Sequence, residues 1–434
     1  MKKCILILLD GLGDRAYEIF GHQTPLQAAH TPALDHMAAV GTNGLYHAAQ
    51  LGLALPSEKA HFAIFGYDQV DFPGRGALEA LGAGVPLTAD DVALLTHIST
   101  ITSEDRVFFL KRDTPPATVD EITELIPVIK HFVWNDIDIT FHHIGKLFGV
   151  LVLRGSVSPF VTDTNPMRDD AFMMNPVPWK SHALEVDAVN TAKALKAYLI
   201  HVHQALNKHP VNVKRKKERL PPLNGLVTQR AGRLKRVTPF SSRYGLKGLS
   251  IASGAVFGGL SKYIGLDFQK IPAMDNPQTD LSKRLAKARD SSRQYDFIHV
   301  HTKAPDEAAH MKDPEFKKRV IESLDRAIGG HLDWLLGDPD ILTVVTSDHS
   351  TPSRGPLVHS GEPVPLTLCG EGVRRDAVVR FDEISVAAGA LGTVRDRELM
   401  YLILNHLDRI KLMDIMDTDE DQMFWPGRYE PFKF

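Results

Sequence analysis

Three short apolar runs dominate this sequence, and each leads to an acidic residue. They are "CILILLD", closing on Asp10, "YDFIHVHTKAPD", leading to Asp306, and "DILTVVTSDH", closing on Asp348 and His349. None alternates polar with apolar residues, so each reads as a strand buried on both faces, the pattern of a parallel sheet with helices on either side. Ligands of such sheets gather at the carboxyl ends of the strands. An acid therefore stands at or just beyond the ligand-binding end of all three.

Amphipathic stretches between the runs suit crossover helices. In "DPEFKKRVIESLDRAIGGHLDWLL", Phe316, Val320, Ile321 and Leu324 recur at helical spacing behind the start signal Asp313-Pro314. The middle of the chain differs. It carries the alternating "DIDITFHHIGKLFGVLVLRGS", the long helical "EVDAVNTAKALKAYLIHVHQALNKH" and the basic "VKRKKERLPPLNG", before "RYGLKGLSIASGAVFGGLSKYIG" returns to the parallel pattern. The expected architecture is α/β: a mostly parallel sheet flanked by helices from residues 1–100 and 241–434, with an inserted smaller α+β domain at 101–240. The acidic "DTDEDQ" near the C-terminus reads as a solvated segment.

Composition narrows the function. The 434 residues are long enough for two or three domains with a sizeable core. A formal net charge of -3 supplies no field for nucleic acid or a membrane surface. Cys4 and Cys369 are too few for a disulfide scaffold or a cysteine zinc site, which suits a reducing cytoplasm. The apolar start runs only from Cys4 to Leu9, shorter than a signal peptide requires, and no run approaches the roughly 18 residues of a membrane span.

The strand ends carry the chemistry. Asp348, His349 and His359 lie in one stretch, Asp306 and His310 are one helical turn apart, and Asp10 ends the first run. Taken singly, each is an ordinary structural pair or ion pair; together they are three carboxylates and three imidazoles at one sheet edge. Such mixed ligands suit zinc or manganese, with too many groups for one tetrahedral ion. Two divalent ions roughly 4 Å apart would serve phosphoryl transfer. A nucleophile is available in "LALPSEKAHFAIFGYD", where Ser57 opens a helix whose free N–H groups and dipole favour a phosphate. The same residue also reads as a plain N-cap.

The ordered set Asp10, Ser57, Asp306, His310, Asp348, His349 and His359 resembles the dinuclear, alkaline-phosphatase-like site of the alkaline phosphatase superfamily. Longer motifs are most similar to its archaeal-type cofactor-independent phosphoglycerate mutases: "LLDGLGDR", "PSEKAHFAIFGYD", "FPGRGALEALGAG", "LVLRGSVSPFVTDTNP", "LNGLVTQRAG", "HTKAPDEAAH" and "SDHSTPSRGPLVHSGEPVPL". The resemblance covers nearly the whole chain. It implies that Asp10, Ser57, Asp348 and His349 hold one metal ion and Asp306, His310 and His359 the other, the ions being manganese or zinc, with magnesium or cobalt as alternatives. It further implies that Ser57 becomes phosphorylated while 3-phosphoglycerate and 2-phosphoglycerate interconvert without bisphosphoglycerate. The inserted domain is then a substrate cap, with hinges expected around residues 95–105 and 238–248. Arg75, Arg154, Arg230 and Lys303 become candidates for the substrate's phosphate and carboxylate, which a forked guanidinium suits. The implied partner is a small phosphorylated substrate, with no oligomeric state specified.

Departures fall where substrate would be gripped. The family's Arg and Asn after "GDVA" are replaced in "DDVALLTHIST" by Leu95 and His97, its arginine-rich stretch by "EDRVFFLKRD", its DTDP by "DTNP" with Asn165, and the Gly before the metal histidine by Ala309. No ligand is lost, so a phosphomonoesterase or a phosphotransferase acting on another small phosphate ester stands as the alternative, and a catalytically dead binding relative is disfavoured. "DGLGDRA" imitates the dinucleotide fingerprint through Gly11, Gly13 and Ala16 but leaves the other ligands unexplained. No G-x-S-x-G elbow or Walker A loop occurs. The basic run Val213 to Arg219 lacks the interleaved aromatics of a single-strand nucleic-acid site and reads as a polar loop.

Overall fold

The computed structural model describes residues 2–410 and 430–434; "DTDEDQ" lies outside them. In chain order the strands are β1 (Lys3–Leu9), β2 (Thr42–His47), β3 (Val92–Glu104), β4 (Val107–Arg112), β5 (His131–Trp134), β6 (Ile137–Gly145), β7 (Phe148–Arg154), β8 (Ala171–Phe172) and β9 (Gly225–Gly232). They continue with β10 (Gly248–Ala252), β11 (Asp267–Lys270), β12 (Phe297–Thr302), β13 (Ile341–Thr346), β14 (Val364–Cys369) and β15 (Gly392–Arg395). The chain divides into two compact units, one from Met1–Phe72 and Val237–Phe434, the other from Pro73–Arg236.

The first unit holds an eight-stranded sheet in the order β11-β10-β12-β1-β13-β14-β2-β15. Its first five strands are parallel, and β14 alone runs against its neighbours. Cys4 through Leu9 are all fully buried, as expected of a strand covered on both faces. Register then aligns the functional ends: Leu9 pairs with Thr302 and Leu8 with both His301 and Thr346, so the segments after β1, β12 and β13 leave the sheet side by side. Among the described residues no helix is long and apolar enough to cross a membrane.

Helix Pro314–Gly329 starts where expected, with the Asp313 carboxylate accepting from the Phe316 N–H. Its buried face differs from the expected one. Val320, Ile321 and Leu324 are buried, but Phe316 is exposed and Lys317 takes a place in the core.

The second unit carries a seven-stranded antiparallel sheet, β5-β6-β7-β3-β4-β8 with β9 also on β3. The expected first crossing near residue 100 falls inside β3. The units instead part between Phe72 and Pro73 and again between Arg236 and Val237. Helix Arg75–Gly82 explains the shift, because the bare Cα of Gly76 lies against the backbone oxygens of Ala93 and Arg230 and ties this helix to β3 and β9. A second correction concerns "VKRKKER". It is mostly helical, in Pro210–Lys217, and Arg215 is buried, donating to the carbonyls of Pro116 and Pro221 and to Glu121. Lys and Arg are good helix formers, and Pro210 occupies the first helical position, where a missing N–H costs nothing.

Candidate metal centre and nucleophile

Helix Ser57–Ile64 begins at the candidate nucleophile. Pro56 occupies the N-cap, so the Ser57 hydroxyl is not the cap and turns elsewhere. Its Oγ lies 3.0 Å from His349 Nε2 and 3.5 Å from Asp10 Oδ1. His349 Nε2 is also 3.2 Å from Asp348 Oδ2 and 3.5 Å from Asp10 Oδ1. Four ligand-type atoms thus converge at the ends of β1 and β13 and the start of one helix.

The surroundings of this group call for a cation. Asp10 and Asp348 are both buried, and Asp348 Oδ2 makes no hydrogen bond. Asp348 Oδ1, by contrast, accepts from the N–H groups of Gly11 and His349. Burial first, then the neighbouring Asp10 charge, push the Asp348 carboxyl well above the usual carboxylate range. Burial likewise holds the His349 imidazole down to about 3, against the opposing pull of Asp10. A divalent cation held by Asp10, Asp348 and His349 would relieve both penalties.

A second group lies beside the first. Asp306 Oδ1 is 3.3 Å from His310 Nε2 and 3.6 Å from His359 Nε2. His359 Nδ1 is 2.8 Å from the Leu55 carbonyl, which can only accept, so Nδ1 carries the hydrogen and Nε2 presents a lone pair toward Asp306. Burial alone would raise Asp306, but the His310 hydrogen bond, the His349 imidazole and the Lys303 ammonium together hold its carboxyl below the usual range. Lys303 Nζ lies 3.8 Å from Asp306 Oδ2. Each group supplies at least three ligand atoms within 4.8 Å of one another, and stacked rings of His349 and His359, 3.8 Å between centroids, place the two side by side. One oxygen and two nitrogens in the second group, and two carboxylates, one nitrogen and a hydroxyl in the first, are donor sets that fit zinc or manganese.

Residues 2–406 match the family model of the metalloenzyme superfamily. A "2,3-bisphosphoglycerate-independent phosphoglycerate mutase 2" of Methanocaldococcus jannaschii is 37% identical, over 98% of this chain and 97% of its own. The enzyme of that name from Pyrococcus furiosus is 33% identical, over 94% and 98%. The chain belongs to the 2,3-bisphosphoglycerate-independent phosphoglycerate mutases. Two solved structures share the fold of these mutases: the PH0037 protein from Pyrococcus horikoshii, with a TM-score of 0.76, 27% identity and coverage of 95% of this chain and 99% of that one, and a cofactor-independent phosphoglycerate mutase from Thermoplasma acidophilum, with 0.65, 28%, 94% and 100%.

In this member of the mutase family the three candidate arginines all belong to the second unit. Arg75 pairs with Glu79 one turn along its helix. Arg154 Nε lies 3.3 Å from Asp91. Arg230 adopts φ +56, a left-handed conformation uncommon for a side-chain-bearing residue, and its N–H donates to Asp163. Two of the departures, His97 and Asn165, hydrogen-bond the same carboxylate oxygen of Asp113, at 2.8 and 3.5 Å. Leu95 is half-buried two residues before His97 on β3.

Three further histidines escaped the sequence reading. His301 Nε2 donates to Asp10 Oδ2 at 2.9 Å, since a carboxylate only accepts, and so holds the carboxylate from behind. His61 donates through Nδ1 to the Ser57 carbonyl at 2.8 Å. His299 stacks near His301, 5.7 Å between ring centroids, and bonds Ser250. The signal was present in "HVH": two histidines two residues apart on a buried strand share one face.

Proposed function

We propose that this chain interconverts 3-phosphoglycerate and 2-phosphoglycerate without bisphosphoglycerate, through a phosphoserine at Ser57. The observation that carries this reading is Ser57 Oγ at a helix start, 3.0 Å from His349 Nε2 and 3.5 Å from Asp10, beside a second ligand group. Two divalent cations held there, one by Asp10, Ser57, Asp348 and His349 and one by Asp306, His310 and His359, would supply a lowered hydroxyl pKa and neutralise phosphate oxygens.

The remaining work falls to the chain itself. Ser57 Oγ gives up its proton and attacks phosphorus, the bond to the glycerate 3-oxygen breaks, and that oxygen takes up a proton. The glycerate 2-hydroxyl then attacks the phosphoserine, loses its proton and displaces Ser57 Oγ, which regains one. N–H groups at the start of the Ser57–Ile64 helix favour the transferring phosphate. The Pro73–Arg236 unit acts as the substrate-capping domain, with Arg75, Arg154 and Arg230 binding the phosphate and carboxylate and Lys303 assisting from the metal-binding unit. Retaining glycerate and excluding water separates a mutase from a phosphatase. Buried free thiols at Cys4 and Cys369 accord with a cytoplasmic setting.

Phosphorus NMR of the manganese-loaded protein with 3-phosphoglycerate, and no bisphosphoglycerate, tests the reading. Appearance of 2-phosphoglycerate without free phosphate is expected. Inorganic phosphate alone would establish the alternative, a phosphomonoesterase; silence in both signals would call for other phosphate esters, since Leu95, His97 and Asn165 depart from the family where substrate would be gripped. Metal analysis gives a second expectation. Asp306→Asn and His359→Ala should each bind about one manganese equivalent where the parent binds two, and an unchanged count would refute the ligand assignment.

A further inference from the structure

Thr351 is fully buried between the two candidate metal groups, and its hydroxyl touches both. Oγ1 lies 2.9 Å from Asp306 Oδ1 and 3.1 Å from His349 Nδ1. A hydroxyl has one hydrogen, and a carboxylate without a proton can only accept. The hydrogen therefore goes to Asp306, which leaves the oxygen lone pair facing His349. Nδ1 must then carry the imidazole hydrogen, and Nε2, which faces Ser57, Asp10 and Asp348, presents its lone pair.

The backbone that carries this hydroxyl is anchored on both sides. The Thr351 N–H donates to the Gly13 carbonyl at 2.9 Å, and the Thr351 carbonyl accepts from Lys317 Nζ at 2.9 Å. Gly11, at φ +68, leaves the space in which Oγ1 and Asp306 meet, since a Cβ there would stand 2.7 Å from Thr351 Oγ1 and 2.7 Å from Asp306 Cβ. With its backbone so anchored, Thr351 places Oγ1 where Gly11 leaves room for it.

We propose that Thr351 is a positioning residue that selects the His349 tautomer and joins the two metal groups through one chain, His349 Nδ1–H to Thr351 Oγ–H to Asp306. It does for His349 what the Leu55 carbonyl does for His359. This inference rests on the two-ion reading and not on the choice of substrate.

The test uses protein labelled with ¹⁵N-histidine. Long-range proton–nitrogen correlation on the metal-free protein near pH 7.5, with His349 assigned by its loss in His349→Asn, should show Nδ1 protonated and Nε2 bare. Thr351→Ser should keep that pattern, whereas Thr351→Val, of the same shape without the hydroxyl, should lose it. Manganese affinity at the Asp10–Asp348–His349 group should fall about 10- to 100-fold in Thr351→Val and recover in Thr351→Ser, the usual range for removing an outer hydrogen-bond partner of a ligand. A parent protein with Nε2 protonated would overturn the proposal without any variant, as would Thr351→Val with the parental tautomer and affinity. A parent that binds no manganese would overturn the two-ion reading beneath it, while the metal-free spectrum would still report the tautomer.

Discussion

Ser57→Ala is expected to lower phosphoglycerate interconversion on the order of 10⁴- to 10⁶-fold, the range seen when a covalent nucleophile or an equivalent member of its constellation is removed. The fold should survive, because the change removes one oxygen whose contacts are His349 and Asp10 and no backbone cap depends on it. Rapid acid quenching after addition of ³²P-labelled 3-phosphoglycerate should leave label on the parent protein and none on the variant. Full activity with normal metal content would eliminate the covalent route. Loss of activity with labelling retained would place the phosphate on another residue.

Lys317→Met should cost roughly 3–5 kcal/mol of stability, because it breaks a buried ion network by removing a single partner. Lys317 is fully buried and donates to the carbonyls of Gly13 and Thr351, each at 2.9 Å, with its ammonium 3.1 Å from Asp14. Asp14 also accepts from Tyr17 and Ser353, and Glu383 accepts from the Asp14 N–H and from Thr24. The lysine therefore ties the loop after β1 to the loop after β13, the two loops that carry Asp10, Asp348 and His349. Burial pushes the Glu383 carboxyl up to about 7, although Lys317 pulls it down, and burial also lowers the Lys317 ammonium below its usual range.

The sign of the pH effect follows from these shifts. Below its unfolded value near 4.5, Glu383 is protonated in both states; between there and about 7 the folded protein binds more proton than the unfolded chain, so this group's contribution to stability declines as pH rises. Without Lys317 the carboxyl rises further, and the deficit of the variant should be larger at pH 8 than at pH 5. Thermal melts at both values should show a drop of roughly 5 °C, greater at pH 8. Equal deficits at the two pH values would show that the carbonyl contacts, not the charges, dominate.

Much of the candidate metal centre was legible in the chain because its ligand-type residues sit on segments whose structure is locally encoded. Asp10, Asp306 and Asp348 stand at or just beyond the ends of unalternating apolar runs, and His310 follows Asp306 by one helical turn, so spacing alone placed them at one edge of a parallel sheet. The start of helix Pro314–Gly329 was equally local, set by Asp313 and Pro314. Ser57 read in sequence as either a cap or a nucleophile; the structure puts Pro56 at the N-cap and turns the Ser57 hydroxyl toward His349, which removes the first reading.

The rest depended on contacts between residues far apart in sequence. Periodicity put Phe316 in the core and gave no reason to bury Lys317, because a charge is buried only where distant partners compensate it, and Gly13, Asp14 and Thr351 come from two other segments. The same holds for Thr351 and His301, ordinary in sequence, whose meaning comes from Asp306, His349 and Asp10. The division between units also escaped the pattern, since helix Arg75–Gly82 precedes β3 in the chain yet is claimed by it through the bare surface of Gly76. Sequence determined the strands, their ligand-bearing ends and the family, all properties of local pattern and ordered motifs. Tertiary structure alone decided which polar groups meet, because hydrogen-bond geometry over 2.8–3.1 Å is set by the packing of whole elements and not by the residues on either side.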